Sequence, residues 1–296
     1  MKHPLTLVTD AQQHGWQVLL DAAAFVPTNR LDLRAVQPEF VTVSFYKMFG
    51  YPTGIGCLLA RRDALASLRR PWFAGGTVNC ATVAGRTHIL SPDEAGFEDG
   101  TLNFLGLPAV TLGLAHLERV GLDLIHRRVR CLTGHLLEAL LDLRHSNGRP
   151  MVRIYGPTTT DMRGGTVTMN CYDPEGHLID YRRVEELAGH HGLSLRTGCF
   201  CNPGAGEAAE GLSADDMRAA AAASNDLTLP RFVQFMIDRG TGKSAGALRV
   251  SFGIVSNAAD VERFLAFLAT LRDQTRIGIG AVTFDIESCR VIRDGS

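Results

Sequence analysis

Phe40-Val41-Thr42-Val43-Ser44-Phe45-Tyr46-Lys47-Met48-Phe49-Gly50-Tyr51-Pro52-Thr53-Gly54-Ile55-Gly56-Cys57-Leu58-Leu59 sets the architecture. An apolar run from Phe40 to Phe45 gives way to a lysine and then to the turn formers Gly50-Tyr51-Pro52. A second apolar run follows from Ile55 to Leu59. Short runs rich in β-branched and aromatic residues, bounded by such punctuation, read as strands. Upstream, Val18-Leu19-Leu20 reads the same way and ends in Asp21. Downstream the period changes. Leu122, Ile125, Val129, Leu132, Leu136, Leu137 and Leu140 recur at threes and fours, so a long amphipathic helix is expected over 107–144, bent or broken at Gly121. Strands interleaved with helices place the chain in the α/β class.

After Asn147-Gly148 strands return at Val152 to Tyr155 and Thr166 to Cys171. A helix follows over Tyr181 to His191, then strands at Leu193 to Arg196 and Ala247 to Phe252, and a helix from Asp260 to Leu271. The expected organisation is a first domain over 1–118 and a smaller α/β domain over 119–275. The second domain carries an insertion at 204–246 with two candidate helices, and a tail occupies 276–296. Within the tail, Ala281 to Ile286 reads as one more strand.

The chain has 296 residues, 45% of them apolar, enough for a sizeable core without disulfide or metal staples. Thirty Lys and Arg against 31 Asp and Glu leave a net charge of −1, so neither nucleic acid nor an anionic membrane is an expected partner. No apolar run approaches the roughly 20 residues of a membrane span, and Met1 to Asp10 lacks the apolar core of a secretory signal. A cytoplasmic location is expected. Seven scattered cysteines, an odd number, do not form a disulfide framework; free thiols are expected.

Two local patterns carry chemistry. Lys47 stands where a buried strand ends in a turn, and at such sheet ends function concentrates. A lysine there most often snorkels to solvent; a desolvated one loses its proton and forms a Schiff base with a carbonyl cofactor. Asp21, also at a strand end, is the kind of residue that holds a proton on a pyridine nitrogen. The second pattern is Arg196-Thr197-Gly198-Cys199-Phe200-Cys201-Asn202-Pro203-Gly204, two thiols beside an arginine in a turn-rich loop. That setting favours an exposed, nucleophilic cysteine. The spacing of Cys199 and Cys201 does not match paired zinc ligands with His190 and His191, so no metal is expected. Gly240-Thr241-Gly242-Lys243-Ser244 lacks the first glycine of a phosphate loop, where Ile237 stands. Gly54-Ile55-Gly56 lacks the third glycine of a dinucleotide fingerprint, where Leu59 stands.

Leu19 to Ala24, Ser44 to Lys47, Pro52 to Gly56, Phe97 to Thr101 and Arg196 to Cys201 together resemble the class V aminotransferase and cysteine desulfurase group. The likeness is greatest to the amino-terminal, desulfurase-like half of the molybdenum cofactor sulfurases and runs over about 16–272. It implies the aspartate aminotransferase-like fold of pyridoxal phosphate (PLP) fold type I. The large domain, 1–118, is expected to be N-terminally truncated, because only 20 residues precede Asp21 where the family has a long stretch. That stretch holds the family's phosphate-binding turn and ring-stacking aromatic. Ala24 and Tyr46 replace a glutamine and a histidine of many plain desulfurases, as in the sulfurases. Val282 to Cys289 faintly resembles the first strand of the sulfurases' molybdopterin-binding domain.

By position, the resemblance implies that Lys47 binds pyridoxal 5'-phosphate covalently and shuttles protons, that Asp21 pairs with the pyridine nitrogen, and that Ser44 contacts the phosphate. Thr101 would reach the phosphate of the neighbouring subunit in a homodimer. Arg249 would grip the substrate carboxylate as a bidentate pair. Cys201 would carry the persulfide, with Cys199 a secondary thiol. The expected function is desulfuration of L-cysteine with sulfur donated to the molybdenum cofactor. Two alternatives stand beside it: a catalytically impaired remnant of the fold acting as a dimerisation or partner-binding unit, and a plain class V aminotransferase.

Overall fold

The computed structural model describes residues 3–223, 227–240 and 242–280, with the backbone of two further short strands at 283–285 and 290–292. The chain divides into two compact units, Lys2–Arg128 and Val129–Ser296.

The first unit opens with helix α1 (Thr6–Gln13), followed by strands β1 (Leu19–Asp21) and β2 (Phe40–Ser44). One helical turn, α2 (Tyr46–Phe49), leads into β3 (Gly56–Ala60) and α3 (Arg62–Ser67). A hairpin, β4 (Val78–Thr82) and β5 (Thr87–Leu90), precedes α4 (Leu107–Val120) and the first turns of α5 (Leu122–Asp142). The sheet order is β1-β2-β3, with β1 parallel and β3 antiparallel to β2. Glu39 anchors the entry to this sheet, accepting from the backbone of Val18 at 2.7 Å and from Arg61 at 3.2 Å. Phe40 and Val41 are buried on β2, and Met48 anchors α2. Gly50 closes α2 in the left-handed region at φ +84°, where glycine has no steric penalty.

Gly121, at φ +88°, separates α4 from α5, so the expected long helix is two helices meeting at the glycine. Along α5 the apolar stripe Ile125, Val129, Leu132, Leu136, Leu137 and Leu140 is buried, as its spacing predicts.

The second unit holds β6 (Val152–Tyr155), β7 (Thr166–Cys171), α6 (Tyr181–His190) and β8 (Arg196–Gly198). Three helices follow, α7 (Pro203–Glu210), α8 (Ala214–Ala223) and α9 (Leu229–Asp238). Then come β9 (Ala247–Ser251), α10 (Ala258–Thr270), the short α11 (Arg276–Ile279), and an antiparallel pair, β10 (Thr283–Asp285) with β11 (Arg290–Ile292). The sheet order β6-β7-β9-β8 is antiparallel throughout. Val167 and Met169 of β7 and Leu248 of β9 are fully buried, as are Phe267 and Leu268 of α10. Ala220, Phe232 and Met236 make a separate small core among the helices between β8 and β9.

The structure departs from the sequence reading in several places. The insertion expected to carry two helices has three, α7, α8 and α9. The strand expected at Leu193 to Arg196 lies instead at Arg196–Gly198. Gly192, at φ +68°, and Leu193 terminate α6, and the Leu193 N–H bonds back to Ala188 O at 3.0 Å; pairing with β9 therefore starts only at Arg196. Asn202-Pro203-Gly204, read as a turn, starts α7. Asn202 Oδ1 accepts from the Ala205 N–H at 3.2 Å, and proline suits the first helical turn because its missing donor is not needed there. The tail strand read over Ala281 to Ile286 is described over Thr283–Asp285, where it pairs with β11. Of the segment compared with a molybdopterin-binding domain, Val282 and Ile286 to Cys289 lie outside the described residues. Among the described residues, no helix is long and apolar enough to cross a membrane.

Gly56 pairs with Ser44, and a Cβ there would lie 2.6 Å from the carbonyl oxygen of Val43. That oxygen belongs to the ladder and cannot yield cheaply. Gly56→Ala is expected to destabilise the protein by about 1–3 kcal/mol, read as a lower urea midpoint at unchanged slope.

Candidate functional site

Asp21, Ser44, Lys47 and Thr101 belong to the first unit; Cys199, Cys201 and Arg249 belong to the second.

In the first unit, Asp21 ends β1 directly opposite Thr42 of the parallel strand β2. Its Oδ1 accepts from the Ala23 N–H at 3.0 Å and from Thr42 Oγ1 at 3.2 Å. The other oxygen, Oδ2, has no partner among the described residues, so one lone-pair face of an exposed carboxylate is open. Strand side chains alternate, so Ser44 projects on the same face as Thr42 and Asp21. Lys47 follows three residues after Ser44, in α2. Its side chain is exposed, with Nζ 5.9 Å from the centre of the Tyr46 ring and no carboxylate partner among the described residues. Asp21 and Ser44 thus lie at the carboxyl ends of adjacent parallel strands, with Lys47 in the helical turn that follows β2, at the end of the sheet where ligands bind in open α/β folds.

The turn carrying Lys47 is held from α4. A Cβ at Gly113 would lie 2.4 Å from the Phe49 ring, so glycine is what lets α4 approach α2. Thr101 lies on a separate, exposed loop just after Gly100, which sits at φ +77°. Arg70 clamps the approach to that loop. Its nearly buried guanidinium donates to Gly96 O at 2.5 Å and to Asp99 Oδ1 at 2.6 Å, and it packs against the Trp72 and Phe97 rings.

In the second unit, Arg249 sits in β9, opposite Arg196 of β8 on one side and Thr168 of β7 on the other. It lines a cavity of about 520 Å³ together with Tyr155, Cys199, Phe200 and Glu210. Its Nε is buried without a hydrogen-bond partner, and no carboxylate among the described residues pairs with it. Burial first, then the neighbouring Arg196, lowers its guanidinium from the usual value, while Cys201 opposes that shift. A guanidinium so placed is ready for a ligand carboxylate. Cys199 is half-buried in the cavity wall; Cys201 is exposed, one residue before the N-cap of α7. By contrast Cys171 is buried in β7, and its thiol is pushed up to about 12 by burial, which makes it inert.

Sequence reasoning missed the far wall of this cavity. Asn170 Nδ2 donates to Glu210 Oε1 at 2.8 Å, and it also lies 3.3 Å from the Tyr155 hydroxyl and 3.2 Å from Gly246 O. Burial raises the Glu210 carboxyl, against the hydrogen bond from Tyr155. Burial, then Glu210, raises the Tyr155 phenol. Nothing local marked Glu210, which closes an Ala- and Gly-rich helix and looks like a solvent-facing residue. Thr42 was readable, because alternation puts it on the face of Ser44.

A four-stranded antiparallel sheet in one unit, and in the other a parallel pair ending in Asp21 and Ser44 with Lys47 in the helical turn that follows, belong to the aspartate aminotransferase-like fold of PLP fold type I. The solved structures agree. The cysteine desulfurase of Thermococcus onnurineus NA1 superposes with a TM-score of 0.65 at 24% identity, covering 90% of this chain and 55% of that one. The cysteine desulfurase CsdA of Escherichia coli does so with a TM-score of 0.65 at 17% identity, covering 90% and 54%. The profile of the family Aminotransferase class-V matches residues 3–264, and the chain belongs to that family. It is similar to the molybdenum cofactor sulfurase of Caenorhabditis elegans, 37% identical over 265 residues, covering 88% of this chain and 36% of that one. The human molybdenum cofactor sulfurase is 38% identical over 264 residues, covering 87% and 29%. The chain therefore spans about a third of the length of these relatives.

The folded protein holds the Glu210 proton more tightly than the unfolded chain does. The resulting stabilisation is complete at pH below the ordinary value of 4.5 and is lost as pH rises through the higher folded value. Stability curves of wild type and Glu210→Gln should therefore run parallel below pH 4.5 and separate above it, the wild type falling relative to the variant. Parallel curves from pH 4 to about 8 would show that the Glu210 carboxyl is not raised.

Proposed function

We propose that this chain is the desulfurase-like portion of a cytoplasmic, PLP-dependent enzyme of the molybdenum cofactor sulfurase type. It takes sulfur from L-cysteine, holds it as a persulfide on Cys201 and passes it to the molybdenum cofactor. The observation that carries the reading is Arg249, without a carboxylate partner among the described residues, in the wall of one cavity with Cys199 and close to Cys201. An amino acid bearing a sulfur is a substrate that uses both a carboxylate grip and a thiol.

The first unit's residues fit pyridoxal phosphate. The open Oδ2 of Asp21 can accept a pyridine N–H, and Thr42 and the Ala23 N–H hold the carboxylate in place through Oδ1. The Ser44 hydroxyl, with no partner among the described residues, is free for a phosphate oxygen. Lys47 Nζ is free to hold the cofactor and to move a proton at the substrate's α-carbon. When bound, the cofactor supplies an electron sink for negative charge on that carbon. Thr101 is assigned to the phosphate held by the other subunit of a homodimer, consistent with its exposed loop and the Arg70 clamp behind it.

In the sulfur step the Cys201 thiolate bonds to the substrate sulfur as the substrate's carbon–sulfur bond breaks. The electron pair stays with the carbon side, which takes up a proton and leaves as alanine. One cysteine and one thiol become one alanine and one persulfide, with no outside oxidant or reductant. We take 1–118 as part of the large cofactor domain, 119–275 as the small domain, and 276–296 as a tail with the start of a molybdopterin-binding domain.

A second reading, a non-catalytic dimerisation or partner-binding unit, draws on the exposure of Leu19, Leu58 and Leu59 on the β1-β2-β3 sheet, apolar residues that a partner surface would cover. Adding pyridoxal phosphate separates the two: the enzyme develops visible absorbance that Lys47→Ala abolishes, and the binding unit develops none. For the sulfur carrier, we expect persulfide trapped by alkylation after incubation with L-cysteine to map to Cys201. It should be lost in Cys201→Ser and kept in Cys199→Ser; a transaminase would stay active in Cys201→Ser and carry no label.

A further inference from the structure

Cys199, Phe200, Cys201 and Asn202 form a tight turn, closed by the Asn202 N–H donating to Cys199 O at 3.1 Å. Phe200 and Cys201 occupy its centre at φ +55° and +56°, two successive non-glycine residues in the left-handed region. Asn, Asp and Gly take that conformation readily; a bulky aromatic there is an outlier that persists only when something outside the turn holds it. Outside the turn, the Phe200 ring meets Arg249. Its guanidinium carbon lies 5.0 Å from the centre of the Phe200 ring, and both side chains line the same cavity.

We infer that Phe200 is a positioning residue that pins the thiol-bearing turn to the carboxylate-binding arginine. The ring covers one face of the guanidinium, and the Nε edge is already buried without a partner. A carboxylate is left the outer nitrogens. One stacking contact thereby sets both where a carboxylate can dock and where Cys199 and Cys201 stand relative to it. Arg249 is itself fixed by two strand ladders, through Arg196 and Thr168, so it is the rigid member of the pair and the turn is the member being held. The inference deepens the proposed function and rests on it for the role of the thiols, but the stacking contact needs neither substrate nor cofactor.

The test is the rate at which iodoacetamide alkylates the half-buried Cys199 in the full chain, with the site assigned by peptide fragmentation. Phe200→Leu, which keeps bulk but loses the ring, is expected to raise the rate by about 3- to 10-fold, the range of a partly desolvated cation–π contact. Phe200→Tyr, which keeps the ring, should stay within about 2-fold of wild type. Arg249→Met, which leaves Phe200 in place without its partner, should raise the rate as Phe200→Leu does, and the double variant should exceed neither single one. A wild-type rate in Phe200→Leu, equal behaviour of the Leu and Tyr variants, or multiplying effects in the double variant would each overturn the inference. Should Phe200→Leu fail to fold, an unchanged rate in Arg249→Met overturns it and a raised rate supports it. Failure of wild type to form a persulfide with L-cysteine would remove the desulfurase reading while leaving these rates as they are.

Discussion

Asp21, Ser44 and Arg249 take their places from strand ladders. Asp21 stands opposite Thr42 because β1 and β2 pair in parallel, Ser44 stands opposite Gly56 because β3 returns antiparallel, and Arg249 is held between Arg196 and Thr168. Buried backbone groups must complete their hydrogen bonds, and in a sheet they do so only in register. A slip of one residue would turn each of these side chains to the opposite face. The chemistry therefore depends on the register of two short sheets more than on any individual contact around the site.

Close backbone approach is the second constraint, and glycine meets it where side chains would not. Gly56 lies against the Val43 carbonyl, Gly113 makes room for the Phe49 ring beside the Lys47 turn, and Gly165 lies against Val129 and the Phe252 carbonyl. Those contacts seat α2 and β3 in the first unit and the end of β7 in the second. Polar groups then complete the frame. Glu39 ties Gln12, Val18 and Arg61 at the entry to the first sheet, and the Asp180 and Asn257 caps start α6 and α10.

The two thiols of the Cys199 to Asn202 turn illustrate how one local motif yields different environments. Both belong to a tight turn leading into α7, yet Cys199 is half-buried in a cavity wall and Cys201 is exposed. Each of two residues in the left-handed region at the turn's centre carries a cost of about 1–3 kcal/mol. Strain of this kind concentrates at functional sites, where side-chain placement matters more than local stability.

The sequence by itself determined the alternation of strands and helices, the break at Gly121, the apolar stripe of α5 and the strand-end position of Asp21. These follow from period, punctuation and the chemistry of turn residues, all of which act over a few neighbours. Tertiary structure decided the rest. Whether the third strand of the second unit's sheet begins at Leu193 or Arg196 depended on how α6 spends the Leu193 N–H. Whether Asn202-Pro203 turned the chain or began a helix depended on the Asn202 side chain finding the Ala205 N–H. Glu210 and Phe200 became part of the site only because β9 carries Arg249 into the cavity they line. The first two of these turn on capping bonds between near neighbours, Leu193 to Ala188 and Asn202 to Ala205, whereas the last joins residues about 40–50 apart in the chain, and local pattern carries no information about which distant strand will lie alongside.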